Sequence, residues 1–521
     1  MKKLGLILFV SAIQLSATTY SDNDVMLQAF YWNVPVDTES RNGSWWNALS
    51  AQASELKESG FTALWTPVPA KGNWGITDNG YGIYDHYDLG NYFQKGSTET
   101  RFGSRSELQA MLDVMHAEPR INVYSDVVLN HMYSSDENRE YNPAVTAYAM
   151  GNPTIRFPEE EIFWAKDGDT LKALTNTHIY YPIHTGIGEP NYQWHHWHFH
   201  PSTATDWIDD FGDDEIRPRA KFFGNDLDTF NPEVQRRLCD WGRWLHDVVG
   251  FDGFRLDFVR GFQEQFAARW VKNLPPGTFV VGEYWGSAPR IKNWVDSLAS
   301  YGANVRAFDF PLKEVLTEMC NCEDFDMRRL CNAGLIRNDD GNRLPPENVV
   351  TFLDNHDTGK EHDKWVTRDF HLGYAYILTH QGCPCVFYPH FFGIKQLDHE
   401  DDSFAVQAPE NLQTRIRQLI YIRQHYLAGE CKVLASSPRI YVARRQGSEN
   451  RCGGIVIINT NPIDTISLTV KVNTAGFNDL SGKTLVNLLN KSQTAKVDRK
   501  GRARLSAPAR DYAVWIPQED L

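Results

Sequence analysis

The chain has 521 residues, a composition ordinary for a globular protein, and a formal net charge of −14 that is spread along its length. That length supports a large core and more than one domain, and the acidic balance argues against nucleic acid or anionic membrane as a partner. The 16 Trp, 22 Tyr and 28 Phe suit a core, and equally suit flat amphipathic ligands such as sugars.

The N-terminus reads MKK, then LGLILFVSAIQL, then SATT. A short basic region, an apolar run and small residues form an export signal, expected over 1–19 with cleavage after Ala17 or shortly beyond. The run is too short to span a bilayer well. The mature chain is therefore expected outside the cytoplasm, extracellular or periplasmic, soluble and with no membrane partner.

Eight apolar runs then follow, each ending in polar or aromatic residues: VMLQAFYW (25–32), FTALWTP (61–67), INVYSDVVLNH (121–131), FDGFRLDFV (251–259), TFVVGEYW (278–285), ANVRAFDFP (303–311), VVTFLDNHD (349–357) and PCVFYP (384–389). Helical segments intervene, among them 50–58, 105–117, 232–248, 261–273 and 411–427. Asn231 and Pro232 make a helix start, with Asn as cap and Pro in the first turn. Strands alternating with helices predict an α/β fold, a closed (β/α)₈ TIM barrel. An open sheet fits less well, because no glycine-rich phosphate loop follows the first strand.

The interval 132–220, rich in His, Trp, Tyr and Asp, is too long for an ordinary loop and reads as an excursion domain inserted after barrel strand 3. The barrel would then comprise 20–131 and 221–395. Residues 396–521 would give one last barrel-associated helix and a C-terminal antiparallel β domain, since RIYVARR, CGGIVIINT, TISLTVKV and YAVWIP are short and β-rich. Export permits disulfides. Cys320, Cys322 and Cys331 form one group with room for a bridge, with zinc as the weaker reading, and Cys431 with Cys452 are placed to span a hairpin; sequence leaves the pairing open.

GFDGFRLDFVR at 250–260 carries the chemistry. In a strand, Arg255 and Asp257 share a face, and burying both is costly unless they are paired or used. A structural ion pair and a catalytic pair are equal readings for this segment alone. The other strand ends decide: Asp126, Asn130 and His131 close strand 3, Glu283 strand 5, and His356 and Asp357 strand 7. Barrel active sites assemble at those ends. Three carboxylates with an aromatic-rich rim point to cleavage between sugars. A retaining glycosidase needs a nucleophilic carboxylate and a protonated one about 5–5.5 Å away. Asp257, beside a cation, suits the nucleophile; Glu283, among apolar residues, suits the acid; Asp357 would hold sugar hydroxyls and help stabilise transition-state charge.

DVVLNH (126–131), GFRLDFV (253–259), GEYW (282–285) and FLDNHD (352–357), in that order and on those strands, resemble the motifs of the alpha-amylases, members of the large starch-degrading (β/α)₈ glycosidase family. The resemblance covers nearly the whole mature chain and is least specific after 396. It implies retaining endo-hydrolysis of α-1,4-glucosidic bonds in starch, glycogen and maltooligosaccharides by a monomer, with Asp257 as nucleophile, Glu283 as acid/base and Asp357 as transition-state stabiliser. It also implies that Arg255 orients Asp257, that His131 and His356 bind hydroxyls of the sugar being cleaved, and that Tyr81 stacks against it; the other reading of Tyr81 is a buried barrel residue. A fixed-product maltooligosaccharide-forming amylase or an α-glucan transglycosylase is the nearest alternative.

The same resemblance implies calcium between the barrel and the excursion, held by Asn130, Asp226 and the carbonyl of Gly261, with Asp228 either a further ligand or a loop cap. Many relatives have Lys-His where this chain has Arg260-Gly261, so Arg260 either touches the sugar beyond the cleavage point or faces outward. If HHWHFH at 195–200 is a strand, alternation puts His196, His198 and His200 on one face, where they could bind zinc; the favoured reading is a role in groove shape or packing.

Overall fold

The structure, a computed structural model, describes residues 21–133, 184–199, 225–398 and 403–521. The expected export segment and most of the expected excursion interval lie outside the described residues, as does His200. Eight short parallel strands close into a barrel. They are β1 Met26–Gln28, β2 Ala63–Thr66, β3 Asn122–Val127, β4 Gly253–Leu256, β5 Phe279–Gly282, β6 Arg306–Phe308, β7 Val349–Phe352 and β8 Cys383–Phe387. Each falls on one of the eight apolar runs, the last beginning one residue early. The reason is burial on both faces: parallel strands under a helical layer need continuous apolar sequence rather than alternation. Inside, aromatic rings fill the lumen, with Tyr124 stacked on Phe279 at 4.1 Å and Phe308 edge-on to Phe352 at 5.5 Å.

The surrounding helices are α1 Trp45–Glu58, α2 Arg105–His116, α3 Pro232–Trp244, α4 Glu264–Asn273, α5 Ala288–Ser300, α6 Phe310–Asn321, α7 Phe370–Thr379 and α8 Leu412–Tyr426. Local chemistry sets their starts. Ser104 and Glu107 form a capping box on α2. Asn231 accepts from the Glu233 amide at 2.9 Å with Pro232 in the first turn of α3, as the sequence predicts. No helix among the described residues is long and apolar enough to cross a membrane.

After β3 the two-residue strand His131–Met132 pairs antiparallel with Asn225–Asp226, His131 opposite Asp226. The chain thus returns beside its point of departure. Beyond α8 lie β9 Cys431–Ser437, β10 Ile440–Arg445, β11 Gly454–Asn459, β12 Ile466–Lys471, β13 Thr484–Asn487, β14 Asn490–Lys496, β15 Arg502–Ala507 and β16 Asp511–Pro517. Six form an antiparallel sheet in the order β9-β10-β11-β16-β13-β14, and β12 pairs with β15. A separate apolar cluster, including Val442, Ile457, Leu485, Leu505 and Trp515, fills the space between them.

The structure decides two readings that the sequence leaves open. All eight cysteines are free thiols. Cys431 stands opposite Arg445, and Arg445 opposite Gly454 on its other side, so β10 runs between Cys431 and the strand that follows Cys452. Two inter-strand spacings of about 4.8 Å exceed disulfide reach. In the other group, Cys320 is buried, Cys322 is exposed, and Cys331 donates to Ser436 Oγ at 3.3 Å. The second is HHWHFH: residues His196–His198 form a 3-10 turn and not a strand, so the strand-face grouping behind the weaker zinc reading does not arise. His198 is buried, its Nδ1 accepting from the His195 amide at 2.8 Å and its Nε2 lying 3.3 Å from Glu233. It packs the turn onto α3.

Candidate active site

The strand register builds the site. On β4, Arg255 is level with Asp126 of β3 and Val281 of β5. The ladder continues past the strand ends, with Asp257 N donating to Val127 O and Glu283 N to Leu256 O, both at 3.0 Å. Asp257 and Glu283 are each one two-residue step beyond that level. They therefore stand side by side on neighbouring strands, at an inter-strand spacing of about 4.8 Å.

Arg255, 1 % exposed, ties these groups together. Its Nη1 donates to Asp257 Oδ1 at 2.7 Å and to Asp126 Oδ1 at 2.9 Å, and its Nη2 lies 2.8 Å from Glu283 Oε1. The guanidinium also lies over the Trp65 ring, 5.2 Å from its centroid. One cation does not offset the burial of both Asp126 and Glu283. Burial pushes Glu283 up to about 8 despite Arg255, helped by the nearby charges of Asp257 and Asp357, and pushes Asp126 up to about 7. Phe258, between them in sequence with φ 43° and ψ 54°, is left-handed backbone that costs a non-glycine residue about 1–3 kcal/mol. Its amide donates to Glu283 Oε2 at 3.2 Å.

Across the barrel mouth, Gln28 Nε2 donates to His356 Nδ1 at 3.0 Å, which leaves the proton on Nε2. That nitrogen donates to the Tyr81 hydroxyl at 2.8 Å, and Tyr81 in turn donates to Asp126 Oδ2 at 2.8 Å. Burial holds His356 down at about 3 and lowers His131 as well, so both imidazoles are neutral at ordinary pH. His131 Nε2 donates to Tyr81 O at 2.9 Å. Burial opposes ionisation of Asp357, but the adjacent His356 and the Lys360 ammonium outweigh it and hold its carboxyl down at about 2.

These groups open onto a cleft of about 610 Å³ lined by Tyr81, His131, Asp257, Glu283, His356 and Asp357. Six of the residues expected to act on a sugar thus share one cavity, with Arg255 directly beneath. Tyr81 is partly exposed in its wall, its ring parallel to those of Trp32 and His356. Arg260 also lines the cleft, donating to Trp285 O at 3.0 Å, so it faces the cavity and not outward. Sequence reasoning missed Trp32, Trp74, Tyr133, Trp285 and Lys360 in the same wall. For Lys360 the signal was its place three residues after Asp357. The Trp and Tyr residues are loop aromatics with no periodicity to mark them.

The three residues expected around calcium also converge. Asn130 O accepts from Leu227 N at 2.9 Å, and Asp226 is buried in the ladder opposite His131. A Cβ at Gly261 would stand 1.9 Å from Asn130 Oδ1, so only glycine lets that main chain lie against the amide oxygen. Asp228 Oδ1 accepts from Phe230 N at 3.0 Å and caps its loop. Among the described residues no three His, Cys, Asp or Glu side chains are grouped to hold a metal.

No family model matches the chain. It is 29% identical over 554 residues to an alpha-amylase of Geobacillus stearothermophilus, covering 99% of this chain and 91% of that protein. It is 30% identical over 442 residues to an alpha-amylase of Bacillus licheniformis, covering 78% and 77%. Among solved structures, an acarbose complex of an alpha-amylase from Geobacillus thermoleovorans superposes with a TM-score of 0.64 at 19% identity over 95% of this chain and 98% of that one, which is a likeness of fold. On the sequence match over more than three quarters of its length, joined to the closed barrel and the carboxylates at its mouth, the chain belongs to the alpha-amylase family of glycoside hydrolases.

Proposed function

We propose that this chain hydrolyses internal α-1,4-glucosidic bonds of starch, glycogen and maltooligosaccharides by double displacement. The observation that carries the reading is the level placement of Asp257 and Glu283 on adjacent strands above one guanidinium that contacts both carboxyls, a closeness that suits the retaining rather than the inverting arrangement. Glu283, neutral through burial, gives its proton to the glycosidic oxygen. Asp257, held by Arg255, attacks the anomeric carbon and forms a glucosyl ester with inverted configuration. Glu283, now a carboxylate, takes a proton from water, which displaces Asp257 and restores the α-configuration. Asp357 holds hydroxyls of the reacting sugar and stabilises its positive charge, with His131 and His356 as further hydroxyl partners and Tyr81 as the ring against which it stacks.

Asn130, Asp226 and the Gly261 carbonyl would hold calcium. An amide, a carboxylate and a main-chain oxygen are the donor types of a hard cation, which takes six to eight oxygens, so these three are part of the set. Bound there, the ion would brace the return of the chain at Asp226 against β3. The export signal over 1–19 makes the mature protein extracellular or periplasmic, and it acts as a monomer.

The test is purified protein on soluble starch with calcium present, its earliest products followed by size and by anomeric NMR. Mixed oligosaccharides released as α-anomers with a fast fall in viscosity are expected. β-Anomers refute double displacement. A single short product with slow viscosity loss assigns fixed-length action instead.

A further inference from the structure

The cleft holds a cation that the proposed reaction does not use. Lys360 closes the 3-10 turn Thr358–Lys360 that directly follows Asp357. Asn355 builds this turn, its Oδ1 accepting from the Asp357 amide at 3.0 Å and the Thr358 amide at 2.8 Å. In a 3-10 turn, side chains three residues apart eclipse, so Lys360 is carried back over Asp357. Gly359 seats the turn against β8: a Cβ there would lie 2.4 Å from Gln396 Oε1 and 2.7 Å from the Phe387 ring. The result is fixed geometry. Lys360 Nζ donates to Asp357 Oδ1 at 2.9 Å and sits 3.6 Å from the centroid of the Trp32 ring.

An ammonium has three donors, and Asp357 Oδ1 is its one hydrogen-bond acceptor among the described residues. The side chain is 17 % exposed, and Lys360, Asp357 and Trp32 all line the cleft. The other charged or titratable groups acting on or feeling Asp357 are His356, neutral through burial, the buried Arg255, and Glu283 and Tyr81. The Lys360 ammonium therefore lies on the cleft side of Asp357, restrained by an indole face and with donors to spare.

We infer that Lys360 is a substrate-contacting, specificity-determining residue: its ammonium fixes the Asp357 carboxylate and gives a remaining N–H to a hydroxyl of the glucosyl unit bound beside it. This rests on the proposed function, since it takes Asp357 as the carboxylate that meets the sugar.

Lys360→Met keeps the stem over Trp32 and removes the ammonium, whereas Lys360→Arg keeps the charge. The constants kcat and KM are measured on maltopentaose for the native chain and both variants. Binding of maltopentaose is measured by calorimetry in a Glu283→Gln background, with and without Lys360→Met. Loss of a charge-assisted hydrogen bond should lower kcat/KM of Lys360→Met by about ten- to hundred-fold at an unchanged thermal midpoint. It should also weaken binding in the inactive background by about tenfold, and Lys360→Arg should retain most of both. Native kcat/KM and binding in Lys360→Met overturn the inference; so does a loss of kcat with binding untouched, which would make Lys360 a tether for Asp357 alone. A native protein that leaves starch uncut, while its Glu283→Gln form binds maltopentaose in a Lys360-dependent way, overturns the proposed function and not the contact.

Discussion

Replacing Glu283 by Gln tests the electrostatic reading of the site through two independent measurements. Burial pushes the Glu283 carboxyl up to about 8, so the native chain carries the acid form through neutral pH. Its kcat/KM should then fall about tenfold per pH unit above that point. Gln still offers an oxygen to Arg255 but has no transferable proton, and should lower kcat by about 10²–10⁴-fold or more. Stability gives the second measurement. A carboxyl whose pKa is raised from 4.5 to about 8 by folding contributes stability that is fully present below the unfolded value and lost as pH rises through the folded one. The interval corresponds to a ceiling of about 5 kcal/mol, reduced by whatever water enters on ionisation. Gln does not titrate, so the variant should gain stability relative to the native chain as pH rises from about 5 to about 9. Asp126, also raised, titrates in both proteins and largely cancels in the difference. Urea unfolding of both proteins across that range, beside a pH–rate profile on maltopentaose, supplies the data. A stability difference that stays flat with pH refutes the burial argument. An alkaline limb that is missing up to about pH 10 refutes the assignment of Glu283 as the acid.

Asp257→Asn removes the nucleophile but leaves an acceptor for Arg255 Nη1; turnover of starch should drop at least about 10³-fold with circular dichroism unchanged. Chelation should lower the thermal midpoint, with recovery on adding calcium and not magnesium, and Gly261→Ala should weaken that recovery because its methyl collides with the Asn130 amide oxygen; a midpoint indifferent to chelator argues against the metal. Thiol titration of the unfolded, unreduced chain should count all eight cysteines, and a count of six would restore a disulfide.

The barrel was legible because its strands announce themselves twice, by continuous apolar runs and by polar residues at one end. The strand rule also placed Arg255 and Asp257 on one face, and they meet at 2.7 Å. Where the argument needed contacts between distant segments it had no purchase. Nothing in the sequence shows that Arg255 reaches Glu283, that Gln28 sets the tautomer of His356, or that Trp32 lies beneath Lys360. The two readings left open there share a cause. Alternation in HHWHFH and the spacing of Cys431 and Cys452 are local patterns read as if local geometry continued, whereas a 3-10 turn and an intervening strand break each one.

The division of labour among the carboxyls follows from the same ladder that makes the barrel. Asp126 lies level with Arg255 and lower in the mouth, fully buried and bonded to Tyr81, where it cannot reach a sugar. Asp257 and Glu283 stand one step higher, open to the cleft. A planar fork can serve all three at once: Nη1 takes both aspartates and Nη2 takes the glutamate. A lysine, a single point charge on a flexible stem, has no such pair of rigid directions. Arg255 thus fixes distance and ionisation together. It holds two carboxyls at neighbouring-strand spacing, while its one positive charge leaves a proton for Glu283 to keep.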